Sequence, residues 1–197
     1  MKSILCIAAL LMSLALPAKA DFSDITDIQV IPLKFGVNDI SRLTLDGRDG
    51  QIIKAWRNDA NGSGFAIYLV MVDGKSVGVG ADKFQDFVTD QPYTPEHTVK
   101  SVRFARGKVS GQPELLLITA RRDFKPDATF ADPAIVMFDI YHVMPNGAAG
   151  TTGDYFTPIS EFPSKKKFCN SDLALAQDMG LPLPDPYEGL NKDDGCL

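Results

Sequence analysis

Histidine is nearly missing from this chain: His97 and His142 are the two among 197 residues. Neither has a carboxylate at ligand spacing, so His97 reads as solvated and His142 as a satisfied core residue, not as ligands or bases. Cysteine is equally sparse at three, and none belongs to a C-x-x-C pair, which argues against a zinc site. Serine is present, but Gly62-Ser63-Gly64 and the other serines fail the G-x-S-x-G spacing, and K-T-G does not occur. Positive charge is in deficit, 20 Lys and Arg against 25 Asp and Glu, which leaves no electrostatic footprint for nucleic acid. No apolar stretch reaches the ~20 residues a membrane-spanning helix needs.

What is present begins with a leader. Lys2 gives a positive start, Ile4–Leu16 is apolar, and Ala18-Lys19-Ala20 has the small-x-small form of a cleavage site. Residues 1–20 therefore read as a signal peptide and 21–197 as one exported domain, periplasmic or secreted. Losing Lys2 and Lys19 with no acid moves the formal charge from −5 to −7. Cys6 falls within the leader. Cys169 and Cys196 remain, and in an oxidising compartment a disulfide between them is the expectation.

The chain centres on Gln51–Asp73. Ile52 to Arg57 is one strand-like arm, and Phe65 to Val72 is an unbroken apolar run. Asn58 to Gly64 between them is turn chemistry, so an antiparallel hairpin follows, with the second arm buried on both faces. Ile28–Phe35 reads as an edge strand carrying Pro32, and Leu43–Leu45 as a short strand. Ser76–Ala81 and Thr98–Ala105 read as further strands, 82–97 as a loop or short helix, and 144–168 as a loop. Ser171–Met179 is the one helix, with Ser171 as cap, Asp172 in its first turn and Gly180 at its end. The proline-rich tail beyond Leu181 is pinned by Cys196.

The central theme recurs. Glu114 to Asp123, followed by Ala134 to Val143, parallels the first hairpin, with Ala55 matching Ala120 and Arg57 matching Arg122 at one spacing of 65. Two such hairpins facing each other give a mainly β fold: a β-sandwich of antiparallel hairpins with a short C-terminal helix and a disulfide-pinned tail.

Asp46-Gly47-Arg48-Asp49 has the carboxylate alternation of calcium loops, but Arg42 and Thr44 stand where further ligands would be needed, so a plain hairpin turn is favoured. Ser164-Lys165-Lys166-Lys167 matches S-x-x-K formally, yet Pro163 and the lysine run are surface composition and no activated nucleophile emerges. The candidate ligand-binding residues are Trp56, Arg57, Arg121, Arg122 and Asp123, the polar and aromatic residues entangled with the apolar strands. An Arg–Asp network closing the hairpin ends, with Asp132, is the structural alternative, and Trp56 reads first as a core anchor.

Asp46-Gly47-Arg48-Asp49 with Ile53-Lys54-Ala55-Trp56-Arg57-Asn58, and Ala120-Arg121-Arg122-Asp123-Phe124 with Ala131-Asp132-Pro133-Ala134 and Phe138–Val143, resemble the carbapenem intrinsic-resistance proteins of the CarG/CpmG type. The resemblance spans residues 43–143. It departs at Arg42, at Thr44 and in a longer tail after residue 144. It implies an exported protein that binds and protects without hydrolysing the drug, with no cofactor and no catalytic residue. The partners it names are a β-lactam antibiotic or a cell-wall synthesis protein, and it leaves a homodimer open. An envelope interaction module using the 144–168 segment and tail is the second expectation, a secreted hydrolase the third.

Overall fold

A computed structural model describes residues 22–58, 64–79, 85–92, 94, 96–146 and 153–196. The leader, the hairpin link at 59–63 and residues 147–152 lie outside the described residues. A 3-10 turn at Phe22–Asp24 leads into β1 (Ile25–Val30), β2 (Gly36–Ile40), β3 (Gly50–Asn58) and β4 (Gly64–Val72). Short strands follow: β5 (Lys75–Ser76), β6 (Gly78–Val79), β7 (Phe87–Thr89) and β8 (Gln91–Pro92). The long ones come last, β9 (Thr98–Val109), β10 (Gln112–Asp123), β11 (Ala134–Pro145) and β12 (Asp154–Phe168), before α1 (Ser171–Met179).

These strands form two sheets. The larger has the order β1-β9-β10-β11-β12-β6, with β8 also on β9; the smaller has β2-β3-β4-β5, with β7 also on β4. All pairings are antiparallel except β12 with β6. The two hairpins thus lie in opposite sheets, the β3–β4 pair facing the sheet that holds β10–β11. Between them Ile52, Ala66, Tyr68, Val70 and Val72 of the small sheet meet Val102, Phe104, Leu115, Leu117 and Phe156 of the large one. The mainly β sandwich is as the sequence implied.

A third layer covers the far face of the large sheet. There Leu116, Ile118, Ala120, Val136, Phe138 and Ile140 pack against Leu173, Ala174 and Leu175 of α1 and Leu181 of the tail. This layering corrects the expectation for β4. Its residues alternate between buried and half-buried, because only one face of the small sheet is covered. The strand buried on both sides is β10, whose Glu114–Ala120 segment is buried at every position because its sheet is the middle layer.

Three further expectations change. Ile28–Phe35 is not one strand: the Ile31 amide makes a bond to the Phe104 carbonyl at 2.8 Å, and at Pro32, which has no N–H to donate, the chain crosses from the large sheet to the small. Leu43–Leu45 is a closed turn, with Leu43 and Thr44 N–H both donating to the Arg48 carbonyl and Leu43 buried as a plug. Most of the 144–168 loop is the longest strand, β12. Its prolines disguised it, and both lie beside irregularities in the pairing with β11. Pro158 opposes Tyr141 and Pro163 opposes Met137; Ile159 is inserted beside the first, and Ser164–Lys166 stand opposite the single residue Val136 beside the second. A bulge relieves the ladder of the hydrogen bond proline cannot give.

The Asp46–Asp49 turn is held by Arg48, whose guanidinium reaches Asp46 at 2.9 Å, Asp73 at 3.2 Å and Asp154 in a two-pronged contact at 2.7 and 3.0 Å. Those carboxylate bonds hold its pKa above the usual arginine range. The space among the three acids is filled by a fixed cation of the chain itself. Asn170, not Ser171, caps α1, its Oδ1 accepting from the Asp172 and Leu173 N–H groups, and Gly180 closes the helix at φ 69°. Ser171 is buried instead, 2.6 Å from Ser101. Cys169 and Cys196 form the expected disulfide, Cα atoms 5.0 Å apart.

Candidate binding cleft

The expected binding residues do not converge. Arg122 is 1 % exposed on the helix side of β10, where Nε donates to the Phe168 carbonyl at 3.1 Å and the two terminal nitrogens donate to Phe130 and Asp132 carbonyls. Burial pushes its pKa down to about 10, which leaves it charged at neutral pH. Arg122 therefore holds chain segments together, and its partners are backbone oxygens, not the carboxylates of an Arg–Asp network. The Asp132 carboxylate is occupied with the Thr129 N–H and hydroxyl. Asp123 is exposed and lies 3.8 Å from Arg121.

Trp56 and Arg57 belong to the other sheet. Trp56 is 53 % exposed, which overturns its reading as a core anchor. It points to the inner side of β3 but beyond the span the large sheet covers, against Gly64, where any added Cβ would meet the indole. Its Nε1 donates to Asn58 at 2.7 Å, and its ring meets Phe35 edge-on at 6.4 Å. Arg57 lies over Phe65, 5.7 Å from the ring centre, on the outer side. The matched pairs of the repeat thus differ in setting: Ala55 and Arg57 are exposed, Ala120 and Arg122 buried.

Arg121 does lie in a cleft. Because β7 is three residues long, the small sheet stops short and uncovers the sandwich side of the large one. The gap of about 340 Å³ is lined by Phe87 and Thr89 of β7 and by Lys100, Thr119, Arg121, Asp139 and Tyr141 of the large sheet. The register explains the composition. Lys100 is paired directly with Arg121 across β9–β10, Thr119 with Asp139 across β10–β11, and Asp139 with Glu161 across β11–β12. Thr119 donates its hydroxyl to Asp139 at 3.2 Å. Burial, opposed by that bond and reinforced by Glu161, raises the Asp139 pKa. Burial and then Arg121 lower that of Lys100, and burial pushes the Tyr141 phenol up to about 12.

Deeper between the sheets, Asp90 accepts from the Ala66 N–H at 2.7 Å and the Tyr68 hydroxyl at 3.3 Å, and its charge is felt by both Lys54 and Lys100. Sequence reasoning missed Lys100, Thr119, Asp139 and Tyr141. The available signal was Asp139, an acid inside the apolar Ala134–Val143 run, on the same strand face as Tyr141. Raised pKa in the native state has a measurable sign. Between the unfolded and folded values the native state binds more protons at Asp139, so its contribution to stability falls as pH rises through that window. Asp139→Asn is expected to melt above the parent at pH 7, with the gap closing below about pH 3, where the acid is protonated folded or not. Thermal melts across that range test it.

The other singled-out groups are engaged in the fold. Ser164 is in β12, not on a helix; its Oγ accepts from the Val136 N–H at 2.9 Å and donates to the Lys166 carbonyl at 2.6 Å. His142 Nδ1 lies 2.7 Å from Glu114 in the large sheet, and the His97 ring lies 3.3 Å from the Thr94 hydroxyl.

With this geometry established, comparison with solved structures is informative. The fold is similar to that of CarG. The match to the crystal structure of CarG has a TM-score of 0.60 at 17% identity and covers 76% of this chain and 94% of that one. At such identity CarG supplies the architecture, and the side chains of the cleft stand on their own. No family model matches the chain, and no curated protein matches its sequence.

Proposed function

We propose that this chain is an exported, periplasmic binding protein that contributes to carbapenem tolerance by sequestering the drug or shielding its cell-wall target. The drug is left chemically intact. The observation that carries this is the CarG-like fold over most of both chains, added to the residue-level resemblance in 43–143. The leader-like start and the disulfide support an oxidising destination. Imipenem incubated with the purified protein should keep its absorbance while calorimetry registers binding. A ligand that prefers the native state must also raise the melting temperature, by about 2.7 kcal/mol of added stability at a hundred times Kd. Multiple-turnover loss of the drug would instead establish the hydrolase.

The envelope interaction module is favoured by a different surface from the one expected. The tail and 153–168 are docked or paired, whereas the outer face of the small sheet carries a cross-strand row of Val37, Ile53, Leu69 and Phe87, its two end residues 48 % and 47 % exposed. Cross-linking that captures a protein on this row, together with no drug binding by calorimetry, would select that alternative.

A further inference from the structure

We infer that the cleft beneath β7 binds a small amphoteric carboxylate, its carboxylate held by Lys100 and Arg121 and its cationic or hydroxyl end turned toward Asp139. This deepens, and rests on, the binding function proposed above.

Like charges directly opposite in a sheet are destabilising, and this one end of the large sheet has two such pairs. Lys100 faces Arg121, and Asp139 faces Glu161. The fold needs neither for its core, which ends at Leu117 and Val102 on this face. The cations are also poorly neutralised at contact distance. Lys100 has no ion pair within 4 Å among the described residues, and that of Arg121 is a 3.8 Å contact with Asp123 at the exposed rim. The acids next to them therefore leave a bipolar surface.

A cation pair beside an acid pair selects its ligand. A divalent metal would be repelled by Lys100 and Arg121, and a phosphate dianion by Asp139 and Glu161. A ligand with a single carboxylate can take charge-assisted bonds from Lys100 and Arg121 and still offer a donor to Asp139 in the same cleft. Thr119 and Tyr141 add hydroxyls, and Val88 with Leu117 gives an apolar wall. The volume of about 340 Å³ suits a small molecule, near the lower end of the roughly 300–1,000 Å³ found for ligand sites. A carbapenem and the free end of a cell-wall peptide share this chemistry.

The test uses calorimetry at pH 7 on the exported chain with imipenem, with D-alanyl-D-alanine and with the amide of that dipeptide. Lys100→Met and Arg121→Gln are each expected to weaken a binding carboxylate by about tenfold, and the amide should not bind. Melting curves of both variants check folding. Should either fail to fold, shifts of the Thr119 and Tyr141 amide resonances of the parent protein on titration decide whether the ligand enters the cleft. Binding of imipenem unaffected by both substitutions overturns the cleft and leaves the carbapenem function standing. Binding of the dipeptide alone, lost in both variants, upholds the cleft and overturns the carbapenem function. No binding of either carboxylate overturns the inference.

Discussion

Arg122→Met is expected to cost about 4 kcal/mol of unfolding free energy, the largest loss from any surface-charge-type residue in the chain. The side chain is charged, buried, and donates to three carbonyls from two chain segments, Phe130 and Asp132 before β11 and Phe168 at the end of β12. Methionine fills much of the volume but removes the donor from the buried Phe168 carbonyl and from the part-buried carbonyls of Phe130 and Asp132. Each orphaned buried acceptor costs about 1–3 kcal/mol, and partial relaxation keeps the sum below its ceiling. Arg122→Lys should recover little, because one ammonium cannot span three carbonyls held at fork geometry. Arg121→Gln, one residue away on the opposite face, should change stability by no more than about 0.5 kcal/mol. Urea midpoints of the three variants check the contrast. Equal midpoints for Arg121→Gln and Arg122→Met would refute the assignment of Arg122 to the scaffold.

Reducing the Cys169–Cys196 bridge comes next, at about 3–4 kcal/mol by the loop-closure argument for a separation of 27 residues. The bridge fastens the tail over α1, where the Cys169 N–H donates to the Asp194 carbonyl at 2.8 Å and Gln177 donates to the carbonyls of Lys192 and Asp193. Leu181, Leu183 and Tyr187 complete the apolar cover of the large sheet. Cys169→Ser with Cys196→Ser should therefore lower the melting temperature and expose residues 181–196 to protease first. Proteolysis beginning instead at the small sheet would show that the tail does not depend on the bridge.

Those two residues also mark how far the sequence could be read. The disulfide followed from compartment and count, since two cysteines in an oxidising setting have one way to pair. The sandwich followed from apolar runs, turn chemistry and the recurrence of the hairpin, all local signals. The helix at Ser171–Met179 had its boundaries written in Asp172 and Gly180, although the neighbouring Asn170 turned out to cap it. Position within the layers is a tertiary fact, and there local signals failed. Leu115–Ile118 and Leu69–Val72 look alike as strings, but only the former lies in a middle sheet. Arg121 and Arg122 are adjacent and chemically identical, and the pleat alone sends one to the cleft and one to the interior. The cleft itself is assembled by register among four strands between residues 98 and 168, so no single stretch announces it.

The inserted residue at Ile159 has a consequence for handedness of placement along β12. Up to Pro158 the strand shows even-numbered residues to the small sheet; Ile159 and Ser160 then both turn away from it, and from there odd numbers face that way. Were the ladder continuous from Pro158, Ser160 would stand opposite Asp139, Glu161 would be driven against Phe138 on the helix side, and Phe162, now 5.1 Å from Phe138, would turn to the sandwich side opposite Met137. One extra link in the chain thus puts an acid where a serine would otherwise stand opposite Asp139. A homologous strand shortened by that residue should carry its carboxylate one position earlier.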